Sequence, residues 1–359
     1  MILAGDIGGT KTHLALFDWK TERIEPAREQ TFASADFGSL DDVLARFLKP
    51  PVKDSAAVPC DEDSSEPSAS PSPDEPTRIE AACFGVAGPV IENRSRTTNL
   101  PWVVDGADLA KRFEIPTVRL LNDVEATAHG VPVLRPDETE VLNAGAPSSV
   151  KSAMALIAAG TGLGEAILFW DGDRYRPMPS EGGHADFAPT SDVEIDLLRY
   201  LRASHMHVSY ERVLSGAGLH AVYEFIRDTK KNEPTWLAER LKVGDPAAII
   251  AELGLSGKVE ICVQALDLFA SVYGAEAGNL ALKALALDGV FIGGGIAPKL
   301  LTKLKDGTFM RAFTSKGRYK RLLSTIPVRV ILNQKTALLG AALVAAELGK
   351  EVRRDEKRN

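Results

Sequence analysis

The chain has 359 residues, of which 45% are hydrophobic and 25% charged, and its formal net charge is −7. This length exceeds what a single core usually holds, so two domains are expected. No apolar stretch reaches the roughly 18 residues of a membrane span, and no basic region precedes the apolar N-terminus. The sequence therefore predicts neither a membrane segment nor a signal peptide.

The cysteines and the charge distribution bear on the compartment and on the kind of partner. Cys60, Cys83 and Cys262 form no C-x-x-C motif and no disulfide framework, which favours a reducing cytoplasm. Residues 51–76 carry seven acids and one base, so a charge of −6 lies there and about −1 is left for the rest of the chain. A nearly neutral folded part predicts no nucleic-acid partner.

The acidic segment 51–76 is rich in proline and serine and nearly free of large apolar residues. Such a segment cannot bury enough apolar surface to offset its conformational entropy. We expect it to be a disordered insertion between a helix over 39–49 and a strand over 78–88.

The remaining chain alternates strands and helices, which is typical of an α/β fold. The predicted elements, in order, include strands over 2–7, 12–18, 153–159, 165–170 and 289–293, and a long helix over about 258–287. A strand, a glycine hairpin and a second strand occur near the start and again past residue 150. Two halves built on this plan predict a cleft between them, although their similarity is too weak to establish a duplication.

The first glycine turn lies in "GDIGGTKT", residues 5–12. It lacks the glycine that precedes the lysine of a P-loop, it leads into a strand, and no G-x-G-x-x-G follows the first strand. What remains is a tight turn whose backbone amides can face an anion. Asp6 could orient Mg²⁺ through water, because this ion keeps much of its hydration shell. A plain hairpin turn is the alternative.

Two further segments offer similar chemistry. The turn "GTGLG" over 160–164 repeats the first, and Gly293-Gly294-Gly295 is expected to form a turn before a helix. A bare glycine surface at a helix N-terminus suits a purine ring or a phosphate.

The apolar run in "VRLLNDVEATAHG", residues 118–130, stops at Asn122 and Asp123. Asn and Asp are favoured helix caps, so capping explains the pair by itself. Alternatively, Asp123 is a base at the end of a strand, directed into a cleft. Both roles are compatible.

A second polar cluster lies in "PSEGGHADFAP", which contains Glu181 and His184, and in "YERVLSGAGL", which adds Glu211. Carboxylates can hold several sugar hydroxyls rigidly. Alternatively the histidine is structural and Glu211 pairs with Arg212. No cysteine cluster and no H-E-x-x-H is present, so no zinc site is expected.

Taken together, these motifs resemble the bacterial ATP-dependent glucokinases, of the superfamily that includes hexokinase and actin. The resemblance covers nearly the whole chain, while the insertion over 51–76 departs from it. It rests on "GDIGGTKT", "LLNDVEATAHG", "AAGTGLGEA", "SEGGHADFAP", "ERVLSGAGL", "FIGGGIAPK" and "SKGRYKRLLSTIPV". It implies a two-domain actin-like, ribonuclease H-like α/β fold.

The resemblance also implies roles for individual residues. Asp123 would be the general base, with Asn122 and Asn99 near the sugar and Glu181, His184 and Glu211 on the ring hydroxyls. ATP would be held by Gly5, Asp6, Ile7, Gly8, Gly9, Thr10, Gly160, Thr161, Gly162, Gly293, Gly294 and Gly295. The implied cofactors are ATP and Mg²⁺, the implied acceptor is the 6-hydroxyl of glucose, and a homodimer is expected.

We expect a small domain over 1–133, a large domain over 134–336 and a C-terminal helix over 337–359 that returns to the small domain. Two alternatives remain: a kinase for mannose or fructose, and a kinase that uses polyphosphate or ADP as the phosphoryl donor. A sugar-sensing regulator without catalysis also remains, although a first strand at residue 2 leaves no room for a DNA-binding domain. An ATP-driven chaperone or filament protein would not need Glu181, His184 and Glu211.

Overall fold

The computed structural model describes residues 1–18, 25–49, 78–97, 100–146, 150–230 and 232–358. The predicted disordered insertion lies outside these residues. Contacts divide the chain into two compact units, Met1–Asp123 with Ala341–Asn359, and Val124–Gly340. Both mix helices and strands, as predicted. Among the described residues, no helix combines the length and apolar composition needed to cross a membrane.

The first unit contains most of the elements before residue 124. Its described strands are β1 (Ile2–Ile7), β2 (Lys11–Phe17), β3 (Pro26–Ala33), β4 (Ala81–Val86), β5 (Val90–Ile91), β6 (Arg94–Arg96), β7 (Val103–Asp105) and β8 (Val118–Asn122). Its helices before that point are α1 (Leu40–Leu48) and α2 (Gly106–Arg112). The predicted first hairpin and the helix over 39–49 are thus confirmed to within a residue.

Five of these strands form one sheet in the order β3-β2-β1-β4-β8, and β5, β6 and β7 form a small separate sheet. β1 runs antiparallel to β2 and parallel to β4, and β4 runs parallel to β8. The carboxyl ends of β1, β4 and β8 therefore meet at one edge of the sheet. Leu3, Phe84 and Phe47 belong to the core of this unit.

The second unit contains a larger set of elements. Its described strands are β9 (Thr139–Asn143), β10 (Met154–Ala159), β11 (Leu163–Trp170), β12 (Tyr175–Ser180), β13 (Gly289–Gly293) and β14 (Val328–Ile331). Its first helix is α3 (Asp123–Gly130), whose first residue still belongs to the first unit. The helices that follow are α4 (Asp192–Arg202), α5 (Gly216–Lys230), α6 (Thr235–Val243), α7 (Pro246–Leu255), α8 (Glu260–Ala284), α9 (Leu301–Leu304), α10 (Thr308–Thr314) and α11 (Lys320–Ser324). The helix α12 (Thr336–Glu356) begins in this unit.

The six-stranded sheet of the second unit has the order β12-β11-β10-β13-β14-β9. β10 pairs antiparallel with β11 and parallel with β13, and β13 pairs parallel with β14. The first five strands therefore repeat the order and directions of the first sheet, and β9 is added at the edge. The predicted long buried helix is α8, in which Phe269 and Tyr273 are fully buried.

The division at residues 123/124 and 340/341 differs from the predicted domain bounds at 133/134 and 336/337. Glycines let α3 approach the start of α12 closely. A Cβ on Gly340 would lie 1.8 Å from the carbonyl oxygen of Ala126, and one on Gly130 would lie 2.2 Å from that of Thr336. Because Thr336 and Gly340 lie in the second unit, these contacts are consistent with residues 124–133 grouping there and not with the first unit.

Candidate active site

The carboxyl edge of the first sheet carries Asp6 near the end of β1 and Asn122 at the end of β8, with Asp123 beginning α3. β4 lies between the two strands, and its Gly85 is in register with Asp6. Gly85 has no side chain, and the charge of Asp123 is close enough to act on the Asp6 carboxyl group. The structure thus brings the predicted metal-orienting and basic residues together within one unit.

The two carboxylates influence each other. Asp6 is half-buried, and burial, reinforced by the charge of Asp123, raises the pKa of Asp6 from 3.8 to about 6. A carboxyl group with a raised pKa beside a second carboxylate marks a place where added positive charge is favourable. This edge therefore fits a cation.

The predicted phosphate turn follows Asp6. The backbone N–H of Gly8 donates to the carbonyl of Lys11 over 2.9 Å and closes the hairpin between β1 and β2. Gly8 and Gly9 are half-buried and Thr10 is exposed. The turn presents no bulky side chain at its two glycines, as an anion-binding turn requires.

The side-chain amide of Asn122 is fixed by a hydrogen bond to the backbone. Its Nδ2 donates to the carbonyl of Gly88 over 3.0 Å, and this bond orients the amide at the end of β8. The predicted sugar residue Asn99 lies outside the described residues.

In the second unit, the turn over 160–162 joins β10 to β11. The N–H of Gly160 donates to the carbonyl of Gly162 over 2.8 Å, and the N–H of Gly216 donates to the carbonyl of Gly160 over 3.0 Å. Oε2 of Glu211 accepts from the N–H of Leu163 over 3.0 Å, directly after the turn. The structure therefore places Glu211, which was predicted to bind the sugar, in contact with the end of the turn that was predicted to bind phosphate.

Glu181 precedes a short 3-10 turn over Gly182–His184, and His184 is the last residue of this turn. The imidazole Nε2 of His184 lies 3.9 Å from Oε2 of Glu181, and both side chains are exposed. Gly183, between them, is buried against β11, because a Cβ there would lie 2.0 Å from the carbonyl oxygen of Leu163. This contact requires glycine and holds the predicted sugar ligands beside the turn over 160–162.

The helix predicted after the Gly293–Gly295 turn begins later than expected. Gly293 ends β13, residues 294–300 form turns, and the helical segment α9 begins only at Leu301. Gly294 has φ +80°, and a Cβ there would lie 2.2 Å from the carbonyl oxygen of Ala159, so the backbone packs too closely for a helix to start. The same contact brings this glycine segment beside the turn over 160–162.

Two residues near these turns were not predicted. Ser34 is fully buried beside the first turn, and Glu165 is 2% exposed on β11. Burial, with the charge of Glu276, raises the pKa of Glu165 from 4.5 to about 7, although Lys283 opposes this shift. A glutamate within the apolar run "LGEAILFW" was a sequence signal for Glu165, whereas Ser34 had none.

The described residues contain no group of three or more His, Cys, Asp and Glu side chains that could hold a metal ion. Mg²⁺ does not need such a group, because it is commonly bound through one or two carboxylates, substrate phosphates and water. Asp6, beside Asp123 and at the phosphate turn, supplies this kind of donor set.

Comparison with known proteins identifies the family of the chain. The family model described as Glucokinase matches residues 3–348. A glucokinase of Nostoc sp. is 41% identical over 363 residues, covering 97% of this chain and 99% of the relative.

Solved structures show the same fold. The glucokinase from an Antarctic psychrotroph has a TM-score of 0.77 at 31% identity, covering 96% of this chain and 98% of the other. The glucokinase from Balamuthia mandrillaris in complex with glucose has a TM-score of 0.74 at 22% identity, covering 96% and 93%, a likeness that shows the fold alone. The predicted two-domain α/β fold of the actin-like class is thus confirmed, and the chain belongs to the glucokinase family.

Proposed function

We propose that the protein transfers the γ-phosphoryl group of ATP to the 6-hydroxyl of glucose, giving glucose 6-phosphate and ADP. The observation that carries the proposal is the pairing of Asp6 with Asp123 at the carboxyl edge of the first sheet, directly before the glycine turn. One carboxylate can accept the hydroxyl proton, and the other can favour a cation beside the phosphates.

Phosphoryl transfer depends mainly on positioning and on neutralising charge, with a base for the acceptor hydroxyl. Asp123 takes the base role, and its place at the start of α3 fixes its backbone. Asn122 accepts from a neighbouring hydroxyl through its oriented amide. The amides of Gly9 and Thr10 face the phosphates, because the amide of Gly8 closes the hairpin.

In the second unit, Glu181, His184 and Glu211 hold ring hydroxyls, with Asn99 as a further sugar ligand. Gly160, Thr161 and Gly162 lie along the phosphates, and Gly293, Gly294 and Gly295 beside the nucleoside. The contact between Glu211 and the N–H of Leu163 supports a shared role for these groups. Gly5 and Ile7 contribute backbone at the end of β1.

Mg²⁺ would accompany ATP, with Asp6 orienting it through water. The bound ion would neutralise phosphate charge in the transition state. Asp6 would then be ionised, because a nearby cation lowers the pKa of a carboxyl group.

We also propose a homodimer that acts in the cytoplasm, since family resemblance favours the first and an ATP-consuming sugar kinase suits the second. Glucose is preferred over mannose and fructose on the same family grounds. A regulator without catalysis would not need a carboxylate in the place of Asp123.

The experiment is a coupled assay of ADP release with Mg-ATP and a panel of glucose, mannose, fructose and N-acetylglucosamine. Asp123→Asn should lower kcat by about a thousandfold, within the range of general-base contributions, while glucose still binds. Asp108→Asn removes an exposed carboxylate on α2 and should leave turnover unchanged. Wild-type protein without activity on any sugar would refute the proposed kinase, and an active Asp123→Asn would refute its base.

A further inference from the structure

Ser34 occupies an unusual place for a small polar residue. It begins the 3-10 turn over Ser34–Asp36, directly after β3, and is fully buried. A buried hydroxyl is costly unless it is hydrogen-bonded. Its partners therefore show what holds it there.

The hydrogen bonds of its hydroxyl and its N–H lead to the hairpin between β1 and β2. The Ser34 Oγ donates to the carbonyl of Gly8 over 2.8 Å. The Ser34 N–H donates to the carbonyl of Thr10 over 3.0 Å. The Oγ1 of Thr12, also fully buried, lies 3.0 Å from the Ser34 Oγ.

The direction of the Thr12 bond follows from the number of protons. Ser34 has one hydroxyl proton, and the Gly8 carbonyl can only accept. Thr12 must then donate to Ser34, which donates to Gly8. Such a chain of hydroxyls strengthens each of its bonds, so the carbonyl of Gly8 is held firmly towards Ser34.

This bond also sets the direction of a neighbouring amide. A peptide unit is planar, and in the trans form its C=O and N–H point in opposite directions. The described residues contain no cis peptide bond. With the carbonyl of Gly8 directed at Ser34, the N–H of Gly9 in the same peptide unit points away from Ser34.

The peptide unit between Gly8 and Gly9 needs such an anchor. Neither residue has a Cβ, so rotating this unit through 180° meets little steric resistance. A rotated unit would present a carbonyl oxygen where an amide had been, and an oxygen repels a phosphate.

We infer that Ser34 is a positioning residue that fixes the Gly8–Gly9 peptide unit so that the N–H of Gly9 faces the phosphates of ATP. The inference rests on the proposed function in taking this turn as the phosphate site. Ser34 itself does not touch the nucleotide. It acts through the Gly8 carbonyl, with Thr12 as its support.

The test compares Ser34→Ala with Ser95→Ala. Ser95 is a second buried serine of the first unit, 4% exposed, whose Oγ has no hydrogen-bond partner among the described residues. ATP affinity would be measured by calorimetry without sugar, and KM for ATP and for glucose by the coupled assay. For Ser34→Ala we expect Kd and KM for ATP to rise about tenfold, as expected for ~1.4 kcal/mol, with KM for glucose unchanged. Ser95→Ala should match the wild type.

Two variants of Thr12 keep the test informative if Ser34→Ala does not fold. Thr12→Val removes the donor to Ser34 and should raise KM for ATP by a smaller factor than Ser34→Ala does. Thr12→Ser keeps the hydroxyl and should keep KM for ATP at the wild-type value. A purely structural role would lower the melting temperature while Kd for ATP stayed at the wild-type value, and that result would overturn the inference. Wild-type protein that binds ATP but phosphorylates no sugar would refute the proposed function while leaving the Ser34 test intact. Wild-type protein that binds no ATP would overturn both.

Discussion

The sheets of the two units begin with the same antiparallel hairpin and continue with the same two parallel strands. In both, the hairpin turn is rich in glycine and lies at the carboxyl end of the central strand. The turns are anchored differently. In the first unit a neutral hydroxyl, that of Ser34, holds a carbonyl oxygen of the turn. In the second unit a carboxylate, that of Glu211, holds an N–H directly after the turn.

This difference bears on how the two substrates depend on each other. Ser34 has no proposed role in sugar binding, so we expect a change of Ser34 to alter the binding of ATP and not that of glucose. Glu211 is itself a proposed sugar ligand, so the second turn and the sugar site share a side chain. A change at the second turn should therefore alter the binding of both ATP and glucose.

Each sheet also carries a buried or half-buried carboxyl group with a raised pKa close to its turn. In the first unit it is Asp6, beside Asp123. In the second it is Glu165, beside Glu276, whose carboxylate accepts from Nδ2 of Asn279 over 2.8 Å. A Cβ on Gly182 would lie 2.2 Å from Oε2 of Glu165, so this group also packs under the proposed sugar turn.

Among the changes that compare the two units, the largest effect is expected for Gly162→Ala. A Cβ there would lie 2.5 Å from Oε2 of Glu211, and the added methyl would displace that carboxylate. We expect kcat/KM for glucose to fall about a hundredfold, which corresponds to ~2.8 kcal/mol, with KM for ATP also raised.

Gly216→Ala is the matched control for this change. Gly216 contacts the same turn through its N–H, but a Cβ added to it would lie 3.8 Å from the Cβ of Ala247, an ordinary van der Waals contact. This variant should keep wild-type kinetics. If Gly162→Ala changed only the ATP parameters, or if Ser34→Ala raised KM for glucose, the proposed contrast between the turns would be wrong.

The next effect concerns Asp6 and pH. Because its pKa in the folded protein, about 6, exceeds the ordinary 3.8, the protonated form is favoured by folding. The resulting stability is fully present below pH 3.8 and is lost as pH rises through 6. Asp6→Asn should therefore stabilise the protein without nucleotide by ~2 kcal/mol at about pH 8, allowing for partial exposure, and by little at about pH 4.

Thermal unfolding at the two pH values measures this difference, with Asp108→Asn as the control at an exposed site. An equal stability difference between Asp6→Asn and wild type at both pH values would contradict the raised pKa. Added Mg-ATP should abolish the advantage of Asp6→Asn, because the cation favours the ionised wild-type carboxylate.

The smallest effect is expected for Glu165→Gln. The folded pKa of about 7 lies above the ordinary 4.5, so stability is again lost as pH rises, here through about 7. Glutamine removes the charge but adds amide protons that need acceptors, so we expect a gain of only ~1 kcal/mol at about pH 8 and none at about pH 5. Denaturant unfolding at both values measures it, and Glu239→Gln on the surface of α6 is the control. A loss of stability at the higher pH would show that the ionised form of Glu165 is the favoured one.

Local patterns in the sequence predicted much of this protein. Apolar runs joined by glycine turns located both hairpins, and a long stretch with apolar residues on more than one face located α8. An apolar strand ending at Asn122 and Asp123 singled out the proposed base. Glycine turns and the strings around Glu181 and Glu211 indicated the family. These features could be predicted because strand periodicity, turn glycines and charged residues at strand ends are properties of neighbouring residues.

The features that the sequence could not show depend on residues far apart in the chain. Ser34 bonds to Gly8, 26 positions away, and Glu211 bonds to Leu163, 48 positions away. Gly340 packs on Ala126, a contact within the second unit. The late start of α9 likewise follows from the packing of Gly294 on Ala159. The sequence by itself determined both hairpins, α8 and the polar groups at the end of β8. Only the tertiary structure decided which backbone groups those residues hold, because a hydrogen bond or a close backbone contact depends on distance in space and leaves no periodic trace in the chain.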